Sequence, residues 1–347
     1  MGFFGNFFRS KRSESVIFID IGTGSIAGAC AQYTENKLPT VLYMRRLPIE
    51  IQENEPHERA MLRAFEMLNA ILIREGIPVL AHSTGSHTID AILVSIGSPW
   101  QETSVHVEHI APQTDFVFTK HLVAETIQKV SPRTPGKIFS DATVLATVIN
   151  GYETHNPYGK RVHHASITIL TSLIDQSLND SLLLNLHNSY HTKCITLIAS
   201  SSLRYQALCI AFPHERDVLI LDVTGPLAAI ALVRKSLLVA VSETPKGAIL
   251  SSGTRINEFM YNFGEIAKQY PLPRVVLLLA RDPDVDSVKQ VLGTMDFSSL
   301  WLSNNPPKIV PILANQLTGF VHQTTTVPPD LPLLLMALYY QYRNPKT

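Results

Sequence analysis

Two segments of this chain carry an aspartate at the end of an apolar run, with a turn of small residues directly behind it. The first is Val16-Ile17-Phe18-Ile19-Asp20, followed by Ile21-Gly22-Thr23-Gly24-Ser25. The second is Val218-Leu219-Ile220-Leu221-Asp222, followed by Val223-Thr224-Gly225. Such a turn can hold a phosphate, because its backbone N–H groups point at the anion and glycine lets the backbone come close. The aspartate in front can hold Mg²⁺ through the ion's water shell. Two such turns facing each other would grip a triphosphate from both sides, with Mg²⁺ near Asp20. A purely structural reading also stands: Asp20 forms an Asx-turn that merely shapes a hairpin. One loop alone is explained by that. The recurrence 202 residues later, in the same order of strand, aspartate, turn and strand, favours a ligand.

Other chemistries fit less well. Gly22-x-Gly24-x-x-Ala27 follows a strand and loosely matches a dinucleotide fingerprint. That fingerprint needs a helix next and an acid ~20 residues on. Ile26–Tyr33 reads as a strand, and positions 38–46 hold no acid. Of the 13 histidines, His106 and His109 fall on opposite faces of a strand, and the neighbours His163 and His164 diverge. No cysteines or clustered acids complete a metal site around them. Gly22-Thr23-Gly24-Ser25 is not a nucleophile elbow, so Ser25 reads as a phosphate or turn ligand.

The elements that must position the two turns follow from periodicity. Val16–Ile21, Ile26–Tyr33 and Thr40–Arg45 read as three strands. A helix over His57–Glu75 places Leu62, Phe65, Leu68 and Leu72 on one stripe, with Gly76-Ile77-Pro78 expected to stop it and Ala81–His87 expected as a loop. Ala91–Ile96 is a strand, Thr103–Ile110 an alternating one, and Thr119 the N-cap of a helix to about Val130. Strands at Ala142–Ile149 and His164–Thr171 flank turn residues in Asn150–Lys160. A helix over Asp175–Tyr190, a strand at Cys194–Ala199 and a helix over Ser201–Ala211 close the first half. The second half repeats three strands (from Val218, Leu227 and Leu237). It continues with helices at Arg255–Gln269 and Val285–Leu292 around a strand Arg274–Ala280, and ends in an apolar core helix, Leu331–Tyr342.

Composition narrows the classes. The chain has 347 residues, 45% hydrophobic and 17% charged, so it is no disordered, solvating segment. Twenty-nine basic residues balance 29 acidic ones, which argues against nucleic acid as the main ligand and leaves self-association open. Cys30, Cys194 and Cys209 give no disulfide framework; all three lie in apolar runs and read as small buried hydrophobes in a reducing cytoplasm. No apolar run reaches the ~18 residues of a membrane span. At the start, Phe3, Phe4, Phe7 and Phe8 precede Arg9, Lys11 and Arg12, the reverse of a secretory signal. As a helix they suit a membrane surface or a partner groove; as a tail they dock on their own domain.

The segment Val16–Ile26, with Asp20-Ile21-Gly22-Thr23-Gly24-Ser25, resembles the first phosphate loop of the actin-like ATPase superfamily, and within it the FtsA/PilM branch. Ile149-Asn150-Gly151-Tyr152 with Asn156-Pro157-Tyr158-Gly159-Lys160 resembles the segment that closes that branch's inserted SHS2 module. Val94–Pro99 and Asp115–Ile127 fall where the module's first strand and helix would lie.

The resemblance implies a duplicated actin-like (ribonuclease H-like) α/β fold with an inserted SHS2-like subdomain. It divides the chain into a tail (1–15), a first half (16–93 and 167–213), the insert (94–166) and a second half (214–347). It implies a nucleotide cleft bounded by Asp20, Gly22, Thr23, Gly24, Ser25, Asp222, Gly225 and Gly247, the last in Pro245-Lys246-Gly247. In the second loop, however, Thr224 stands where the family has glycine, Pro226 has no N–H to donate, and no hydroxyl follows at 227–229. The adenosine loop's two glycines are missing from Ala280-Arg281-Asp282-Pro283. ATP and Mg²⁺ are therefore expected to bind weakly if at all. The expected role is a cytoplasmic scaffold at the inner face of the membrane, in pilus assembly or cell division, whose partner is a membrane protein's cytoplasmic tail or a division or pilus protein. The alternative is an active ATPase or sugar-kinase-like enzyme of the same superfamily.

Overall fold

The computed structural model describes residues 13–130, 134–154, 156–243, 255–301 and 306–343. Gly247 and the four N-terminal phenylalanines lie outside the described residues. The chain opens with an antiparallel meander of β1 (Ser13–Ile21), β2 (Ser25–Thr34) and β3 (Thr40–Pro48). Helix α1 (His57–Ile71) follows. Gly76-Ile77-Pro78 does not stop it, contrary to expectation. The chain passes through a π turn, Leu72–Gly76, into α2 (Ile77–Thr84), which ends at Gly85 with φ 72°. Pro78 is tolerated because the ladder has already slipped there: the Ile77 N–H reaches Leu72 O. Much of the loop expected at Ala81–His87 is thus helix.

The strand β4 (Ala91–Ile96) pairs parallel with β1. It therefore lies in the first main sheet, not at the start of the insert, because an apolar run buried on both faces fits beside β1. The insert's own sheet begins with β5 (Gln101–Ile110). It continues through β6 (Phe116–Val117), α3 (Lys120–Val130), β7 (Lys137–Ile149), β8 (Tyr152–Glu153), β9 (Arg161–Val162) and β10 (Ala165–Asp175). The order β5-β10-β7-β8 forms a four-stranded sheet, and β6 pairs with β9. Phe118, Val123, Ile149, Val162, Ile167 and Ile169 make its core under α3. Thr119 caps α3, its Oγ1 accepting the Leu122 N–H at 3.1 Å. Asn150 and Gly151 both have positive φ, as a two-residue hairpin turn requires.

Helix α4 (Gln176–Tyr190), β11 (Ile195–Ala199) and α5 (Ser200–Ala211) return the chain to the first sheet, whose order is β11-β4-β1-β2-β3 with a short outer strand beside β3. The second half supplies β12 (Val218–Asp222), β13 (Ala229–Arg234), β14 (Leu237–Glu243), α6 (Arg255–Ala267), β15 (Val275–Leu279), α7 (Val285–Gly293) and β16 (Lys308–Ile312). β17 (His322–Gln323) is the short strand beside β3, and α8 (Leu331–Arg343) is the last described element. The second sheet, β14-β13-β12-β15-β16, repeats the first in topology and direction. The duplication extends to register: Asp20 pairs with Ala27, and Asp222 with Ala229.

Five layers result. Helices α1, α2 and α4 cover one face of the first sheet through Ile17, Ile19, Phe65, Leu68 and Leu182. Helices α5 and α8 lie between the two sheets, packed on Phe18, Ala29, Ile220 and Leu279. Helices α6 and α7 cover the far face of the second sheet through Phe259, Phe263 and Val288. The α8 run Leu331–Tyr340 is buried throughout, as expected for a core helix. Cys30 is buried, but Cys194 is exposed, which corrects the expectation of three buried cysteines. It precedes edge strand β11, where its carbonyl pairs with Ile92 N while its side chain is left outside.

Candidate functional site

Strands β1 and β12 each carry a buried aspartate at or next to their last residue, and the turns behind them meet. The Leu227 N–H donates to Thr23 Oγ1 at 3.3 Å. A Cβ at Gly24 would stand 2.7 Å from Pro226 Cδ, and one at Gly225 would collide with Thr23 Oγ1. The glycines of the two turns thus permit them to approach each other. Asp20, Gly22, Thr23, Ser25, Asp222 and Gly225 are brought together around one small cavity, and Gly24 packs against Pro226 without lining it.

What sits between the aspartates was not foreseen. Arg204, from the second turn of α5, donates from Nη1 to Asp222 Oδ2, and its Nη2 lies 3.5 Å from Asp20 Oδ1. All three side chains are 9% exposed or less. A second arginine extends the network. Arg46, on β3, donates to Ser25 Oγ at 2.8 Å and to Asp20 Oδ2 at 3.3 Å. It also grips Asp330 with both Nε (2.6 Å) and Nη2 (2.9 Å). Burial pulls the Arg46 pKa down, but Asp330 and Asp20 more than reverse this and hold it above its ordinary value. Asp330 in turn caps α8, accepting the Leu333 N–H at 3.2 Å. Five charged side chains from β1, β3, α5, β12 and the start of α8 form one chain of contacts through the junction.

Several of the donors that would face a phosphate are already engaged. The Gly22 N–H donates to Ser25 O at 3.0 Å. In the second turn, Thr224 donates both its N–H (3.0 Å) and its hydroxyl (2.7 Å) to Asp222 Oδ1. Asp222 thus forms an Asx-turn; at Asp20, where the sequence allows that reading, the carboxylate instead meets Arg46 and Arg204. The Ala228 N–H donates to Glu258 at 2.5 Å, and Pro226 has none. The cavity that remains is about 30 Å³, room for a water or so against the ~300–1,000 Å³ of ligand pockets. The residues present do not fit a Mg²⁺-triphosphate in this arrangement. Among the described residues no group of three His, Cys, Asp or Glu side chains is placed to hold a metal ion.

Arg204, Arg46 and Asp330 escaped the sequence reading, although each left a trace. Arg204 is the sole charged residue in the segment Ser200–Ala211. Asp330 stands between Pro328-Pro329 and an apolar helix, an N-cap signature. Beyond the closed cleft, a recess of about 470 Å³ opens between β5, β14 and α6. Glu243 lines it, accepting the Ser201 hydroxyl at 3.2 Å, and burial pushes its carboxyl up to about 7.

No family model matches the chain, and no curated protein matches it by sequence. Solved structures do match in fold. One is a PilM-PilN type IV pilus biogenesis complex, at 10% identity and a TM-score of 0.53, covering 94% of this chain and 98% of that one. Another is a protein with actin-like ATPase fold and unknown function from Bacteroides thetaiotaomicron, at 12% identity and a TM-score of 0.43, covering 96% and 98%. An exopolyphosphatase from Cytophaga hutchinsonii follows at 10% and 0.40, covering 83% and 74%. The chain has the actin-like α/β fold. No helix among the described residues is long and apolar enough to cross a membrane.

Proposed function

We propose that the chain is an actin-like scaffold of the PilM kind, which docks the cytoplasmic tail of a membrane-embedded pilus protein and turns over no ATP. The observation that carries this reading is the filled cleft: Arg204 stands between the two turn aspartates, where a metal and phosphate would have to lie. Likeness to the PilM-PilN complex over nearly the full length of both chains supports the choice of pilus assembly over an FtsA-like division role. In this reading the sheet β5-β10-β7-β8 with α3 is the SHS2-like module. Its exposed Val107, Val117, Tyr152 and Tyr158 offer apolar contacts to a partner. Phe3, Phe4, Phe7 and Phe8, with the basic residues behind them, assist attachment at the inner face of the membrane.

The test is paired. The full-length protein is mixed with the purified cytoplasmic tail of the pilus-type membrane protein encoded beside it, and phosphate release from Mg-ATP is followed in the same samples. A stoichiometric complex with release no faster than that of Asp20→Ala is expected. Release that depends on Asp20 would restore the ATPase alternative. A complex formed instead with a tubulin-like division protein would move the scaffold to the FtsA-like role.

A further inference from the structure

We infer that Arg204 is a built-in ligand: its guanidinium takes the place of a bound cation between Asp20 and Asp222 and keeps the cleft shut from within. The inference deepens the scaffold reading and rests on it only in taking the cleft as idle. Two carboxylates, one from each half of the molecule, converge on a single guanidinium and are almost fully buried there. Buried charges of one sign do not tolerate such proximity without a counter-charge. Arg46 cannot serve both, since it reaches Asp20 but not Asp222 and is shared with Asp330. Arg204 is therefore the group on which the closed approach of the two turns depends.

Its position is fixed independently of the aspartates. The start of α5 and the residue before it are tied to the neighbouring parts of the molecule. The Ala199 N–H donates to Asp141 Oδ2 of β7 at 3.3 Å, and Ser201 bonds Glu243 of β14. The helix thus delivers the guanidinium to the cleft as a fixed group, one that needs no binding from solution. Remove that charge and the two carboxylates face each other with half their compensation gone. They must then separate, take up a proton, or capture a divalent cation. The cleft accordingly conceals a cation site that Arg204 occupies.

The experiment compares the full-length wild type with Arg204→Met and with the double variant Arg204→Met/Asp222→Asn. The probe is MgCl₂ alone, against NaCl at matched ionic strength. Thermal unfolding of Arg204→Met should begin on the order of 10 °C below the wild type. MgCl₂ should recover most of that loss in Arg204→Met and none in the other two proteins. Hydrogen exchange at Ile21–Ser25 and Val223–Ala228 should quicken in Arg204→Met and return toward the wild-type rate in the double variant, which removes one of the two opposed carboxylates. Should the single variant fail to fold, a folded double variant supports the inference and an unfolded one overturns it. Wild-type exchange in Arg204→Met, or Mg²⁺ stabilisation of the wild type equal to that of Arg204→Met, would also overturn it. Tail binding is read separately, so loss of the scaffold reading leaves these outcomes intact, and the reverse.

Discussion

Asp330→Ala tests whether the charged chain through the junction bears on stability. Asp330 does two jobs at one point: it caps α8 through the Leu333 N–H, and it receives two bonds from Arg46. Loss of the cap costs about 1 kcal/mol. Loss of the bidentate pair, 21% exposed on the arginine and 15% on the aspartate, costs about 2 kcal/mol. The sum is about 3 kcal/mol. Asp330→Asn keeps the cap and one weaker bond, so it should lose only about 1 kcal/mol. Arg46→Met leaves Asp330 and Asp20 undercompensated and should cost about 3 kcal/mol. In the double variant Arg46→Met/Asp330→Ala the two losses overlap, with a coupling of about 2 kcal/mol. Urea unfolding of the four variants followed by far-ultraviolet circular dichroism measures all of these. A coupling below about 0.5 kcal/mol, or equal losses in Asp330→Asn and Asp330→Ala, would refute the reasoning.

Three further outcomes are expected. Leu338→Ala, at a fully buried position of α8 between the two sheets, should cost about 2–5 kcal/mol by urea unfolding; a loss under about 1 kcal/mol would mean that the layer is loosely packed. Glu243 has its pKa raised from 4.5 to about 7 by burial, so the folded state binds its proton more tightly than the unfolded state does. Its contribution is present at low pH and lost as pH rises from the unfolded value to about 7; Glu243→Gln should flatten that part of the stability profile, and an unchanged slope would locate the titration elsewhere. Gly225→Ala should destabilise the wild type more than it destabilises Thr23→Ala, because the new Cβ meets the Thr23 hydroxyl; equal effects in a double-mutant cycle would deny that contact.

The architecture was legible where local and global signals agree. The apolar runs leading to Asp20 and Asp222 announced the duplicated sheets, and Asn150-Gly151 and Thr119 announced a hairpin and a cap in the insert. Legibility failed where long-range packing overrides the local signal. Pro78 looks like a stop in sequence, but a π turn placed just before it carries the helix on. The run Ala91–Ile96 could belong to either sheet by composition, and pairing with β1 decides. The site was half visible. Its two turns repeat, and repetition is a sequence property. Arg204, Arg46 and Asp330 are single residues separated by more than 100 positions, and only the folded chain brings them to Asp20 and Asp222.

The two turns also explain each other's divergence. The first keeps Gly22, Thr23, Gly24 and Ser25, yet Thr23 now accepts from Leu227, and Ser25 accepts from Arg46. The second has threonine at 224, and that threonine is bound to Asp222 through both its N–H and its hydroxyl. Pro226 closes on Gly24 at the distance where a side chain would no longer fit. The Gly22, Thr224 and Ala228 N–H groups and the Thr23 and Ser25 hydroxyls thus each have a partner inside the protein, and a buried group with a partner gains little from opening to admit an anion. On this argument Thr224→Gly with Pro226→Gly does not by itself make a nucleotide site, because Arg204 still satisfies both aspartates. Only the combination with Arg204→Met frees the carboxylates and restores the backbone donors together. Calorimetry with Mg-ATP on the two-residue and three-residue variants separates the cases. Binding by the two-residue variant as tight as by the three-residue one would show that the turns, and not the arginine, keep nucleotide out.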